Sequence, residues 1–425
     1  YLETANSYTG LLRRRYLEAE SSLMLDGPLR SSDYKLRAFL KAEKRRPDGL
    51  AKPRMIFPRS PRYNLVVASW LKPFEHWLWG FLTARRLFGG SNTRVSAKGL
   101  NPRKRANLIL RKLNGLSDGV CFEVDGKAFE AHVTSGQVDA ENRVYTSAYP
   151  RDTSLARVLA RQLFRGVTVH GAKFSRPGGR ASGDFNTGMG NTLIMLAVVV
   201  GVLKSYGCKF DVLADGDNAL IFLERGSLGR VVADFALRVL HTSGHELTLE
   251  RPVSYMEGVR FGRSAPVFLG PGLGWTMVRE PESVLSGAYA SHRWLREPVF
   301  GRRWVAGVAR CELSLARGVP VLQSAALSVL EQTAGEKDVH EAALADYFVV
   351  GAWLARAEDA ITPTVECRSS FERAFGWSVE RQLHAEGHFS TVLVGSPGSV
   401  VELPQHSERF GAGPGLYESW ADAHV

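Results

Sequence analysis

Cysteine is scarce in this chain: the four present, Cys121, Cys208, Cys311 and Cys367, stand far apart and form no Cys-x-x-Cys pair. That spacing argues against a zinc ribbon or a disulfide framework and makes a reducing compartment the default. Long apolar runs are missing as well. The longest, Leu193 to Leu203, is about half of the ~20 residues that span a bilayer. A membrane-bound role would therefore need an anchor outside this sequence. No signal peptide is visible and Tyr1 rather than Met stands first, which reads as a fragment of a longer product. Internal repeats and long low-complexity tracts are absent, so repeat arrays are excluded.

What is present is a large apolar share and an excess of cations. Of the 425 residues 44% are hydrophobic, ample for a buried core. The length suits two or three domains, or a single enzyme of several lobes. Lys and Arg number 54 against 43 Asp and Glu, a net +11. The excess favours polyanionic partners: RNA, DNA, nucleotides or an acidic membrane surface. Taken alone it is equally the mark of an ordinary basic protein.

Patterning along the chain gives the elements. Residues 35–62 are the most basic stretch, and Pro47, Pro53, Pro58 and Pro61 oppose a continuous helix there, which leaves strands and extended loops. Residues 65–88, rich in Trp, Leu and Phe, read as a buried helix. From 119 to 125, Val120, Phe122 and Val124 alternate with Cys121, Glu123 and Asp125, a strand that delivers an acid at its end. A Gly-rich loop at 176–191 runs into an all-round apolar helix, Thr192 to Tyr206, with Gly207 as its stop. Two apolar runs then flank Asp215-Gly216-Asp217-Asn218, a strong hairpin signal. Leu228, Val231, Val232, Phe235, Val239 and Leu240 fall at helical spacing, with Gly244 as the stop. Short strands are expected near Glu246–Glu250 and Tyr255–Phe261. Residues 280–385 read as mainly helical, and the polar end from Gly395 is expected to fray.

Three features carry chemistry. Asp125 ends one strand and Asp217 sits in a hairpin turn; on adjacent strands they could share a pair of divalent cations. Nucleotidyl transfer needs such a pair, and Mg²⁺ prefers carboxylate oxygens. Each acid singly also has an ordinary structural reading, because turns and strand ends recruit Asp. The loop from Ser182 to Asn191 combines glycines, which let backbone approach a ligand, with short donors and acceptors on Ser182, Thr187 and Asn191. No Gly-Lys-Ser/Thr follows, so it is not a Walker loop. Lys41, Lys44, Lys52, Arg54, Arg59 and Arg62 could line a tunnel that neutralises phosphates, with Met55-Ile56-Phe57 as a packed strand presenting them. A solvated basic face is the plain alternative.

In order and spacing these pieces resemble the polymerase motifs of positive-strand RNA viruses, most closely the tombusvirus-like polymerases. Lys52 to Ile56 with Pro58 to Asn64 looks like motif F, which lines the nucleotide channel. Asp125 to His132 looks like motif A, Ser182 to Asn191 like motif B, and Gly216-Asp217-Asn218 like motif C. Val253 to Phe261 is similar to motif E, and Gly318 to Gln323 to a thumb segment. The resemblance covers about 40 to 325 and implies an α+β right-hand polymerase with fingers, palm and thumb, its antiparallel palm sheet flanked by helices. Residues 1–118 would be fingers, 119–135 palm, 136–175 a fingers insertion, 176–268 palm again, and 269–425 thumb and tail. Asp125 and Asp217 would ligate Mg²⁺ or Mn²⁺, with Asn218 beside them in the catalytic motif. Arg54, with Lys52 or Lys41, would hold the triphosphate. Glu130, Thr187 and Asn191 would read the ribose 2′-hydroxyl, and Ser182 and Gly183 would help seat template and ribose. Template and product RNA and NTPs are the implied partners, together with other viral replicase proteins and a host membrane reached through a segment outside this chain. The implied location is host cytoplasm, at membrane-associated replication complexes.

Three departures from the family pattern matter. Glu130 stands where motif A usually places a second Asp, and ribose selection should survive the longer side chain. Asn218 replaces the last Asp of motif C, as in some other RNA virus polymerases, and an altered metal preference is expected. No lysine occurs between Lys209 and Lys337, so motif D lacks the lysine that often protonates pyrophosphate; His245, or else Arg251, could substitute, but a lone His after a helix is more often structural. A reverse transcriptase would carry a bulky aromatic where Glu130 stands. A catalytically silent RNA-binding replicase subunit is the rival that Asn218 and the missing lysine motivate.

Overall fold

The computed structural model describes residues 1–41, 54–291, 294–295, 297–392 and 394. They fall into two compact units. The first comprises Tyr1–Phe39, Arg54–Gly99 and Leu108–Tyr255; the described residues of the second are Leu40, Lys41, Leu100–Asn107 and those from Met256 onward. The strands are β1 (Leu36–Leu40), β2 (Met55–Ile56), β3 (Gly119–Gly126), β4 (Arg165–Thr168), β5 (Lys173–Ser175), β6 (Phe210–Asp215), β7 (Asn218–Glu224), β8 (Leu247–Leu249), β9 (Ser264–Phe268) and β10 (Trp275–Arg279).

In the first unit the apolar runs around Asp217 become β6 and β7, and the alternating stretch at 119–125 becomes β3. With β8 they form an antiparallel sheet in the order β6-β7-β3-β8. Cys121 is as buried as Val120 and Phe122, so the alternation separates inside from outside only at the strand's end, where Asp125 is exposed. The helix Thr187–Lys204 explains the rest. Apolar nearly all round, it packs Met195, Val199 and Leu203 against Val212 and Ile221 of the sheet and Phe235 of the helix Arg225–Ser243. Its composition would suit a membrane span, yet 61% of it is buried inside the unit. That helix begins at Thr187, earlier than Thr192, so the last five residues of the Gly-rich segment are helical. Gly244, in the left-handed conformation, ends the helix Arg225–Ser243 as expected.

A second sheet in this unit, in the order β2-β1-β4-β5, carries the basic segment; β1 and β4 run parallel. The expected helix at 65–88 is two: Pro61–Phe81, capped by the Ser60 hydroxyl, and Ala84–Phe88, capped by Thr83.

In the second unit, β9 and β10 form a hairpin under Pro298–Leu315 and Val365–Phe375, with Val267, Val278, Val308, Phe371 and Trp377 in one core. The Phe268 N–H donates to Ser370 Oγ at 2.9 Å, joining strand to helix. The expected strand at 255–261 is instead a 3₁₀ turn, Met256–Gly258, and the strands come later. Residues 280–385 are mainly helical, as expected. Within Gly318–Gln323 the chain makes a buried γ-turn: Val321 holds φ 67° and ψ −61°, and Leu322 N–H donates to Pro320 O at 2.7 Å. A β-branched residue there is strained, and the Gln323 side chain braces the turn by accepting from Gly318 N–H at 2.8 Å.

Candidate active site

The acidic turn between β6 and β7 is held from two sides. Gly216 takes φ 67°, the sign that a type II′ turn demands of its first central residue. Its N–H donates to the Thr192 hydroxyl at 2.8 Å, which ties the turn to the buried helix. From β3, the Gly126 N–H donates to the Asp217 carbonyl at 3.0 Å. Register then sets Asp125 opposite Asn218, and Asn218 opposite Asp215. Directly opposed residues share a sheet face, so Asp215, Asn218 and Asp125 form a polar row across three strands with Asp217 at the turn. Sequence reasoning expected Asp125 at a strand end and Asp217 in a hairpin turn on an adjacent strand; Asp125 lies near the end of β3, and Asp217 in the turn that leads into its neighbour β7. Lys98 pairs with Asp215 at 2.9 Å, a cation beside the turn that sequence reasoning missed.

The donor set suits a hard divalent cation. Asp125 is exposed and Asp217 half-buried, so both carboxylates can be reached from solvent. Among the described residues no group of three or more His, Cys, Asp or Glu is assembled for a metal. Mg²⁺ does not require one, because one or two protein carboxylates with substrate phosphates and waters complete its shell. Asn218, opposite Asp125, adds an uncharged amide to the row.

Next to this row lies a second cluster. The short helix Phe129–His132 follows β3 through Ala128, a non-glycine residue in the left-handed region at φ 45°. It presents Glu130, whose Oε1 accepts from Asn191 Nδ2 at 3.3 Å. Burial raises the Glu130 carboxyl above its ordinary range, and the charge of Asp217 adds to that; the Asn191 bond, Arg180 and Arg54 pull it back. Asp217 and Arg54 are thus within electrostatic reach of Glu130. The Ser182 hydroxyl accepts from Phe57 N–H at 3.3 Å. Gly183 lies so close to Pro58 that a Cβ there would strike its backbone. These two contacts dock the loop on the segment that carries Arg54. Thr187 donates inward to the Ala181 carbonyl at 2.6 Å, closing the loop.

Two cations expected in a tunnel serve the scaffold instead. Arg59 is buried, paired with Asp184 at 3.0 Å and donating to the Tyr34 and Leu163 carbonyls. Arg62 binds Asp33, Ser22 and the carbonyls of Gly27 and Pro28. Lys41 falls in the second unit, and Lys44 and Lys52 lie outside the described residues.

His245 is no proton donor. It is buried, its ring stacked on Phe129 with centroids 4.2 Å apart and Nε2 3.0 Å from Gln137 Oε1. Burial, with His132 nearby, lowers its pKa from 6.5 to about 4, so near neutral pH it carries no ammonium-like proton to give. It wedges the turn that bears Glu130. Because the folded value lies below the unfolded one, its contribution to stability is present above pH 6.5 and lost as pH falls toward 4. His245→Gln should therefore flatten the fall of melting temperature between about pH 7 and pH 4.5 relative to the unmodified chain. Parallel curves would contradict a buried neutral imidazole.

A sequence profile of viral RNA-dependent RNA polymerases matches residues 2–394. The chain belongs to the viral RNA-dependent RNA polymerase family. Its similarity to the RNA-directed RNA polymerase of Carnation mottle virus is 30% identity over 403 residues, covering 92% of this chain and 51% of that one. The polymerase of Tobacco necrosis virus (strain A) is 31% identical over 326 residues, 75% of this chain and 44% of the relative. That of Turnip crinkle virus is 33% identical over 328 residues, 75% and 40%. The chain of this polymerase-family member spans about half the length, or less, of these curated relatives.

Proposed function

We propose that this chain catalyses template-directed transfer of nucleotides from NTPs to an RNA 3′-hydroxyl, as the RNA-dependent RNA polymerase of a positive-strand RNA virus. The observation that carries the reading is the register of β3 and β7, which puts Asp125 opposite Asn218 beside the Asp217 turn, with the Glu130–Asn191 pair adjacent. On this reading 119–135 and 176–268 are palm, 1–118 and 136–175 fingers, and 269–425 thumb and tail.

Asp125 and Asp217 would hold Mg²⁺ or Mn²⁺, which when bound activates the attacking hydroxyl and steadies the triphosphate. Arg54 supplies positive charge for the phosphates. Glu130 and Asn191 meet the 2′-hydroxyl, the group that distinguishes an RNA precursor. Ser182 and Gly183 keep that pocket docked on the Arg54 segment. RNA template and product, replicase proteins and a host membrane are the partners this reading brings.

Incubation of the purified chain with a primed RNA template, NTPs and either cation tests the proposal. Primer elongation supports it. Template binding without elongation in both metals would favour the silent RNA-binding subunit, which the uncharged Asn218 makes the one serious competitor. In the same assay Asn218→Asp should shift relative activity toward Mg²⁺ several-fold, because a hard anionic oxygen replaces a neutral amide at the end of the polar row. An unaltered Mg²⁺-to-Mn²⁺ ratio would show that position 218 does not address the metal.

A further inference from the structure

Directly behind the Glu130–Asn191 pair lies an ion pair with almost no solvent contact. Arg180 and Glu141 side chains are 3% and 1% exposed. Both Arg180 Nη atoms donate to the Glu141 carboxylate, while Nε donates to Asn191 Oδ1 at 3.2 Å. The Arg180 backbone N–H donates to the Glu130 carbonyl at 2.9 Å. One residue is thereby fastened to both members of the candidate ribose pocket. Glu141 is itself fixed, accepting from the Tyr145 hydroxyl at 2.6 Å and from Asn186 Nδ2 at 3.0 Å. The helix Thr187–Lys204 leaves room for the pair at Gly190, where a Cβ would collide with both Glu141 Oε1 and Arg180 Nη2.

The consequence is directional. An amide side chain has an accepting end and a donating end, whereas a guanidinium only donates. Arg180 Nε–H must therefore take Asn191 Oδ1, and Nδ2 is left facing Glu130 Oε1. A ribose hydroxyl both donates and accepts, so it meets an acceptor in Glu130 and a donor in Asn191. With the amide reversed, two acceptors would face the sugar.

We propose that Arg180, backed by Glu141, is a positioning residue for ribose selection: it fixes the Asn191 amide with its nitrogen toward Glu130 and the sugar of the incoming nucleotide. The proposal rests on the polymerase reading above. Arg180→Lys tests it, because an ammonium keeps a charge beside Glu141 but lacks the fork that also holds Asn191. In single-nucleotide extension by the full chain, kcat/KM for GTP should fall about tenfold, the worth of one hydrogen bond, and that for dGTP much less. In an Asn191→Leu background the same substitution should change the GTP-to-dGTP ratio no further, since Arg180 acts through that amide. The double variant Arg180→Met/Glu141→Leu, which refills the space with apolar side chains, should give the same loss of discrimination. Equal losses for GTP and dGTP in a folded variant, or additive effects with Asn191→Leu, would overturn the positioning role. So would failure of both Arg180 variants to fold, which would make the pair structural only. An unmodified chain that extends with neither nucleotide would instead sink the polymerase reading itself.

Discussion

Asp217→Ala should abolish primer extension, by about a thousandfold or more, while RNA binding stays within about twofold. The asymmetry follows from where the carboxylate stands. On the proposed polymerase reading Asp217 is one of two acids offered to a cation at the strand ends, and a metal ligand's contribution is several kcal/mol at the reacting phosphate. Template affinity on that reading is instead a sum of phosphate contacts made by cations elsewhere, and it does not pass through this side chain. The backbone does not need the carboxylate either: Gly216 supplies the positive φ of the turn, and the Asp217 carbonyl, which Ala retains, accepts from Gly126. Extension assays and fluorescence anisotropy with labelled template read the two quantities separately. Extension at the unmodified rate would remove Asp217 from the metal site, and a parallel collapse of binding would make the turn structural.

Much of this arrangement was legible in the sequence because it is local. Two apolar runs about Asp215-Gly216-Asp217-Asn218 are a strong hairpin signal, and the alternation up to Asp125 reads as a strand. That β3 lies beside β7 is not local, and there the order of the motifs supplied what periodicity could not. The misreadings share one cause, which is burial decided by partners far along the chain. Arg59 looked like a surface cation because Asp184, which neutralises it, lies 125 residues away. His245 stood open between a proton donor and a structural histidine, the commoner case and the one found, because nothing in its own segment announces the Phe129 ring above it. The β9–β10 hairpin was hidden by Pro266, which argues against a strand interior but is tolerated where a two-stranded ribbon leaves an edge unpaired. Glu141 went unnoticed because nothing in its own segment points to Arg180, and Gly190, whose place beside the pair a Cβ could not take, read as one more loop glycine.

Glu141→Ala should destabilise the chain by about 3–5 kcal/mol, the largest stability effect expected of any single substitution at the site. Three losses coincide. The Arg180 guanidinium, 3% exposed, would keep its charge without the carboxylate that pairs with it, leaving only the unbonded charges of Asp184 and Glu130. The Tyr145 hydroxyl would lose its acceptor in a place water does not reach, and the Asn186 amide would keep only its longer bond to Gln162 Oε1. The removed side chain also leaves a void against Gly190. By contrast, Arg14–Glu18, with side chains 78% and 64% exposed, should be removable with little effect, because water already solvates both groups. The magnitude measures the isolation of a charge rather than the strength of the pair. Removing both partners together, as in Arg180→Met/Glu141→Leu, should therefore cost far less than removing Glu141 alone. Urea unfolding of the two variants separates these cases. A double variant as unstable as Glu141→Ala would mean that packing, not an orphaned charge, sets the cost. A shift below about 1 kcal/mol for Glu141→Ala would mean that Arg180 finds another partner, and the Asn191 amide would then have no fixed anchor behind it.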